Sequence, residues 1–485
     1  MINMNSKKTE KVIACSVFLL AIFLITFHFT DTPKVWVDEG VFTETAKNLA
    51  RNGVIGLQTA PGEFFSMRNF LLSTSYPVIF PVAASLKLLG NGIWQARFPM
   101  ILYMFGLTLV FYFFAKKRYG FYPGILSVLL LLSFSPFYGN GRPVQGEVPG
   151  LFFLCLGAYF LLLWEEGRFQ KRKWALLSGL AFGLSASTKP IFLLGVCLSL
   201  VIALLLRRKD IKNKMMIAWG IVGFATPLLL WTLVHFPTWK SVLNFIPSYL
   251  YFAGVQGSET SVLVTITRNL LKFFTESTPL LFALLMTFVI LSFLSRYKKE
   301  GKEAKMSEYL ILAFIILNWI GFLFGTGWYR YFFPAHLLLY LLFPGAIFYL
   351  IMHFKTKSIT WTLITFSLAL LIFQSYHLIF LSDTSFTVKR TRNAELENAL
   401  ARVDPSQTIL FYNSIEAAIF LKSTNYYQYL SMGDFLKAGD ENALKDPPHD
   451  FIFTNKLSEN DSLNSCYSMT EVSQYFLLKR QSVCK

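Results

Sequence analysis

The sequence predicts an all-α polytopic membrane protein with a small C-terminal α/β domain, on three observations. Apolar runs able to cross a bilayer recur from about residue 12 to residue 380. Short basic segments sit between alternate runs. After about residue 382 the composition turns polar, rich in Asp, Asn, Ser and Lys. The chain is 54% hydrophobic and 15% charged, whereas a soluble chain carries about a quarter charged residues. Barrel strands would alternate over about ten residues, and a solenoid would show a fixed period; neither pattern is present. The formal charge of +17 does not mark a nucleic-acid binder. Its cations form no stripe or patch but gather between apolar runs, where anionic lipid headgroups are their partners.

Eleven spans are expected. The first, Val12 to Phe29, follows Lys7, Lys8 and Lys11 and lacks a small-residue cleavage site, so it reads as a retained span with a cytoplasmic N-terminus. Next come Phe98 to Ala115, Pro123 to Pro136, Val148 to Trp164, Trp174 to Thr188 and Pro190 to Leu206. Met215 to Val234, Pro279 to Ser295, Tyr309 to Phe324, Tyr331 to Met352 and Ile359 to Phe380 complete the set. Lys116-Lys117-Arg118, Arg168 with Lys171-Arg172-Lys173, and Arg207-Arg208-Lys209 mark the cytoplasmic side, as do Arg296 to Lys305 and Lys355 with Lys357. An odd number of spans places the tail outside.

Three outer segments are long. The first, 31–95, carries one helix from Asp38 to near Gly53, with Phe42, Ala46 and Leu49 on one face, and another from Tyr76 to Leu89 stopped by Gly90. Both are expected at the membrane surface. The second, His235 to Ser277, is aromatic at Trp239, Phe245, Tyr249, Tyr251 and Phe252 and reads as an interfacial loop or as a cover over a groove. The third is the tail, which divides the chain into a membrane domain, 1–381, and a soluble extracytoplasmic domain, 382–485. Strands are expected at Thr408 to Asn413 and Asp450 to Thr454, with a helix between them at Ser414 to Lys422. No nucleotide-binding glycine signature occurs in it. Cys15, Cys155 and Cys197 lie in apolar runs; Cys466 and Cys484 lie in the tail, as a disulfide or as two free thiols.

Candidate chemistry sits at the outer ends of the spans. Asp38 and Glu39 are adjacent carboxylates at a helix start, where Asp38 is both a good N-cap and a fixed carboxylate able to take a proton. Arg142 and Glu147 lie in a Gly- and Pro-containing connection: either a solvated loop with cancelling charges, or a phosphate-binding cation with an acid that orients it or holds a metal. Lys189 stands at the Thr188-Lys189-Pro190 hinge, a snorkelling side chain or a partner for lipid phosphate. Arg330 and Tyr331 open a span with the donors that bidentate phosphate recognition uses, or with those of an interfacial belt. His336 beyond them reads as a satisfied core residue.

In this order the chain resembles the GT-C glycosyltransferases that use polyprenyl-phosphate sugars, and most of all the protein O-mannosyltransferase and aminoarabinose-transferase branch. The resemblance runs over about residues 30–350. Asp38-Glu39 is followed by Thr45-Ala46-Lys47-Asn48-Leu49-Ala50, Tyr76-Pro77, Leu88-Leu89-Gly90, and Ala96-Arg97-Phe98-Pro99. Lys116 to Gly120, Arg142 with an acid five residues on, Thr188-Lys189, and Arg330-Tyr331-Phe332-Phe333-Pro334 come later. The resemblance implies an inverting transfer at the outer face of a bacterial plasma membrane. The donor is a polyprenyl-phosphate sugar and the acceptor a lipid, a glycan or a protein. Asp38 and Glu39 are implied as the catalytic carboxylates, with Asp38 the base that deprotonates the acceptor; Arg142, Lys189, Arg330 and Tyr331 are the donor-phosphate group. No cofactor is required. Some relatives use a divalent metal, for which Glu147 and Glu39 are the oxygen ligands at hand. The sequence departs from the relatives at Glu147, where Asp is commoner, and at His336, where they carry an apolar residue or proline. The rival readings are a flippase, which places ionisable residues near mid-membrane, and a noncatalytic assembly protein in which Asp38 only caps a helix.

Overall fold

The structure is a computed structural model that describes residues 4–68, 73–208, 214–236, 238–239, 241, 243, 261–300, 304–384, 392–431, 436–444, 449–455, 466–472 and 474–481. In chain order the helices are α1 (Met4–Thr26), α2 (Val37–Asn52), α3 (Tyr76–Leu89), α4 (Ile93–Tyr119), α5 (Phe121–Ser133) and α6 (Ser135–Gly141). They continue with α7 (Glu147–Glu166), α8 (Arg172–Thr188), α9 (Pro190–Leu206), α10 (Lys214–His235) and α11 (Val262–Thr275). The last five are α12 (Ser277–Glu300), α13 (Met306–Phe324), α14 (Tyr329–Phe354), α15 (Lys357–Tyr376) and α16 (Arg392–Leu400). The chain forms two compact units: 1–27, 102–141 and 146–387 make one; 28–101, 142–145 and 388–485 make the other.

The first unit is a helical membrane bundle. Each of the eleven expected spans is helical, and eight helices among the described residues are long and apolar enough to cross a bilayer. The third expected span is instead two helices, α5 and α6, bent by 67°. The fifth and sixth are the 17-residue helices α8 and α9, each about 26 Å long against a hydrocarbon core of about 30 Å. Lipid gives helices no hydrophobic reason to associate, so backbones must come close. The α8–α10 seam does this with glycine: a Cβ built on Gly179 would lie 2.0 Å from the Gly220 carbonyl oxygen, and one on Gly223 would lie 2.3 Å from that of Leu176.

At the bundle end carrying the basic segments, Glu308 in the first turn of α13 is wholly buried. It accepts from Arg118 at 2.7 Å, from Arg296 at 2.9 Å, from the Tyr119 hydroxyl at 2.9 Å and from the Lys305 backbone N–H at 2.8 Å. One carboxylate thus ties the ends of α4 and α12 to the start of α13. Deeper in the bundle, His336 is flanked by the Tyr329 and Tyr340 hydroxyls, each at 3.1 Å from a ring nitrogen, the satisfied core histidine the sequence suggests.

The second unit joins the first long inter-span segment to the tail, so the division at residue 381 expected from composition is not where the chain partitions. The tail sheet has six strands: β3 (Ile409–Tyr412), β4 (Tyr426–Ser431), β5 (Lys437–Ala438), β6 (Phe451–Thr454), β7 (Tyr467–Val472) and β8 (Tyr475–Arg480). Their order is β5-β4-β3-β6-β8-β7, with β3 parallel to both β4 and β6 and the outer pairings antiparallel. A hairpin, β1 (Gly56–Ala60) and β2 (Glu63–Ser66), follows α2. The expected strands are β3 and β6, and the expected helix is a 3-10 segment, Ile415–Phe420. Cys466 is disulfide-bonded; Cys484, like Phe245, Tyr249, Tyr251 and Phe252, lies outside the described residues.

α2 ends at Gly53 in the left-handed region, φ +69°. Its residues Glu39 to Asn48 are all buried, so it is enclosed by protein rather than laid on a membrane surface. The 3-10 segment supplies part of that cover, and a Cβ on Gly40 would sit 2.7 Å from the Glu416 backbone. Behind it, the Tyr475 hydroxyl donates to the Glu416 carboxylate.

Burial raises the Glu416 carboxyl above its ordinary 4.5, against the Tyr475 hydrogen bond and Lys34, which lower it. A raised carboxyl gives its full stability contribution below its unfolded value and loses it as pH rises through the folded one. Glu416→Gln keeps an acceptor for Tyr475 and removes the titration. The variant should gain thermal stability relative to the parent as pH rises from about 4.5 towards neutrality, read as the difference in Tm. A pH-independent difference would refute this.

Candidate active site

Helix α2 begins at Val37, with Trp36 as its N-cap and no side-chain cap. Asp38 is therefore the second helical residue rather than the cap. Its carboxylate still benefits from the exposed N–H groups and dipole of the first turn. Asp38 and Glu39 are neighbours with different surroundings: Asp38 is partly exposed, and Glu39 is wholly buried.

Glu39 is closed off by Arg97. The Arg97 Nε donates to one Glu39 carboxylate oxygen at 2.8 Å and a terminal nitrogen to the other at 2.7 Å, the fork-on-fork geometry that strengthens such pairs. The same guanidinium donates to the carbonyls of Phe29 at 2.7 Å and Pro33 at 2.9 Å. The Val144 N–H, at 3.3 Å, adds a third donor to the Glu39 carboxylate. Glu39 does not have the access a proton-accepting base needs; its part is to anchor the first turn of α2 and so fix the direction of Asp38.

Arg142 is not a solvated loop residue. It is 1% exposed and donates to the Thr32 hydroxyl at 2.5 Å. Asn393, from the tail, donates to the Thr30 carbonyl at 2.7 Å and accepts from the Val35 N–H at 3.0 Å. The strand of chain leading into Asp38 is thus held by Arg97, Arg142 and Asn393, drawn from three separate parts of the sequence. One turn on, a buried cluster holds α2 to the sheet: the Tyr426 hydroxyl donates to Glu44, Asn48 donates to Glu44 at 3.1 Å, and Lys47 donates to Glu44 and to the Ala418 carbonyl, both at 3.3 Å. Burial lowers the Lys47 ammonium below its ordinary 10.5, against the neighbouring Glu44 carboxylate.

In the membrane bundle, Lys189 sits between α8 and α9 in extended backbone, φ −156°. Pro190 opens α9 and Thr188 closes α8, so the hinge leaves the lysine at the helix ends. Its ammonium pairs with Glu147, the first residue of α7, and lies 5.6 Å from the centre of the Tyr331 ring. Arg330 donates to the Tyr331 hydroxyl at 3.0 Å and stacks over Trp328 at 5.2 Å. Glu147, Lys189, Arg330 and Tyr331 therefore form one cluster. The Glu147 carboxylate faces the Lys189 ammonium with one oxygen, and among the described residues no three His, Cys, Asp or Glu side chains gather as a ligand set.

Arg97, Asn393, Glu44 and Tyr426 were not singled out as site residues by sequence. Arg97 has a visible signal, a lone cation opening an apolar run. The Glu44–Tyr426 pair spans 382 residues and carries none.

The model for dolichyl-phosphate-mannose-protein mannosyltransferases matches residues 77–231, less than half of the chain. No protein of curated function matches in sequence. Among solved structures, ArnT from Cupriavidus metallidurans bound to undecaprenyl phosphate is similar over 97% of this chain and 98% of its own, with TM-score 0.64 and 11% identity. The Archaeoglobus fulgidus oligosaccharyltransferase in complex with Zn and sulfate is similar over 90% of this chain and 67% of its own, with TM-score 0.55 and 11% identity. AglB of that organism, in complex with an inhibitory peptide and a dolichol-phosphate, gives 0.53 at 10% identity, over 100% of this chain and 75% of its own. The fold is that of ArnT and of the Archaeoglobus fulgidus oligosaccharyltransferase.

Replacing Arg97 by methionine leaves the Glu39 carboxylate buried without its cation. The expected cost is about 3–5 kcal/mol, read as a lower Tm of the purified full chain. Arg97→Met with Glu39→Leu should recover part of it, because no unpaired charge then remains. Equal loss in the single and double variants would contradict the pairing.

Proposed function

We propose that the protein is an inverting glycosyltransferase that takes a sugar from a polyprenyl-phosphate donor at the outer face of a bacterial plasma membrane. The observation that carries the reading is the cluster of Lys189, Arg330 and Tyr331 with Glu147 at the helix ends, on a fold whose relative ArnT was solved with undecaprenyl phosphate. Two cations and a hydroxyl in a part-buried setting suit a lipid phosphate monoester, since fixed charge acts strongly where water is scarce. Glu147 holds the Lys189 ammonium in place.

In this mechanism the acceptor hydroxyl or amine attacks the anomeric carbon of the sugar. The new bond forms as the carbon–oxygen bond to phosphate breaks on the opposite side, which inverts the configuration. The acceptor proton passes to the Asp38 carboxylate. Polyprenyl phosphate leaves as an anion, and Lys189, Arg330 and the Tyr331 hydroxyl offset the charge it gains. Glu39 keeps the Asp38 turn in register through Arg97, and Arg142 has the same positioning part through Thr32. The acceptor is a lipid, a glycan or a protein.

The roles separate in two variants. Asp38→Asn should lose turnover by about 10²–10⁴-fold, the worth of a positioned base, while undecaprenyl phosphate still binds. Lys189→Ala should weaken undecaprenyl phosphate binding itself. If Asp38→Asn leaves turnover intact, Asp38 is structural and the mechanism falls; if Lys189→Ala leaves binding intact, the phosphate assignment falls.

A further inference from the structure

Helix α11 has two unlike faces. Thr265, Asn269 and Phe273 are buried against the bundle. The other side exposes Leu263 (74%), Leu270 (44%), Leu271 (55%) and Phe274 (76%). Water does not favour such a stripe. Two residues after the helix ends, α12 begins, and it is one of the membrane-spanning helices. The C-terminal end of α11 therefore lies at the boundary of a bilayer, where an apolar stripe flanked by Arg268 and Lys272 is at home.

The buried face acts on one short turn. The Asn269 amide donates to the carbonyls of Phe322 at 3.1 Å, Leu323 at 3.1 Å and Gly325 at 2.8 Å. The first two are among the last carbonyls of α13, which have no partner within their own helix. The Lys272 ammonium donates to the Gly327 carbonyl at 2.9 Å. Gly327 has φ +71°, and a Cβ there would fall 2.1 Å from the Asn269 side-chain oxygen, so the turn is fitted closely to the asparagine. On the far side of the turn, Phe273 packs on Phe332 with ring centres 5.7 Å apart. Between these holds lie Trp328, Tyr329, Arg330 and Tyr331. The turn's path sets where the first residues of α14 point.

We propose that α11 is an interfacial strut: its apolar stripe rests in bilayer lipid, and Asn269 and Lys272 are positioning residues that set the reach of Arg330 and Tyr331 toward the donor phosphate. This rests on the assignment of Arg330 and Tyr331 to that phosphate. The strut couples the site to the membrane that delivers the donor, because the element held by lipid is also the one that holds the turn.

The test uses the full-length protein in nanodiscs and equilibrium binding of undecaprenyl phosphate. Asn269→Asp keeps the size of the side chain but donates nothing to carbonyls. It should weaken binding by about tenfold, the effect of losing one to two kcal/mol of hydrogen bonding. Lys272→Ala should weaken binding in the same direction, and Lys272→Arg, which keeps a donor for Gly327, should restore it. With turnover, the loss should fall on the donor KM more than on kcat. Arg330→Ala separates the two ideas. If it leaves binding unchanged, the phosphate assignment fails and takes this proposal with it. If it abolishes binding while the Lys272→Ala and Asn269→Asp chains bind as the parent does, the strut alone is overturned. For the lipid contact, a nitroxide at Phe274→Cys in a Cys15→Ser, Cys197→Ser background should collide more with oxygen than with a water-soluble nickel chelate. The reverse order would place the stripe in water and overturn the interfacial half.

Discussion

The arrangement around Asp38 depends on one buried ion pair, Arg97 with Glu39. Taking both charges out of water costs several kcal/mol per ion, and the pair is worth having only if the geometry is good and the remaining donors are used. Both conditions hold. The carboxylate is gripped at two oxygens, and the spare guanidinium hydrogens go to the carbonyls of the segment that runs into α2. A single side chain therefore fixes the helix start and its lead-in together. This also sets two adjacent acids apart: Glu39 is wholly buried and holds position, and its neighbour Asp38 stays partly exposed.

The same logic recurs within the membrane bundle. Glu308 collects two arginines, a tyrosine and a backbone N–H. In lipid, helix association draws little from the hydrophobic effect, so it relies on close backbones and on polar joints of this kind. Glycines at the α8–α10 seam supply the first and Glu308 the second. The short helices α8 and α9 meet at Lys189, whose ammonium is kept at the helix ends by Glu147 rather than free to wander along the interface.

Much of this was legible in the sequence because membranes write strong patterns. Apolar runs and alternating basic segments located a helix at each of the eleven expected spans, and Gly53 and Gly90 marked two helix ends. The bend between α5 and α6 was not legible, since hydropathy averages over a kink. The tail was read as a strand–helix–strand core, but β7 and β8 lacked a clear apolar alternation. The partners of Asp38's lead-in were missed for a different reason. Arg97, Arg142 and Asn393 are brought together by tertiary folding, and no local spacing announces a carbonyl that needs a donor. Arg142 is a case in point: a cation near glycine and proline gives no local sign that it is buried and donates to the Thr32 hydroxyl.

The close approach at Gly40 carries an implication for how this chain can diverge. Where two backbones touch with no room for a methyl group, neither partner can drift in sequence or geometry alone. The tail sheet is therefore not a cassette to be traded among relatives. Any lineage that replaced it would have to re-cut the underside of α2 in the same step, so the tail domain and the acid-bearing helix should evolve as one inherited piece.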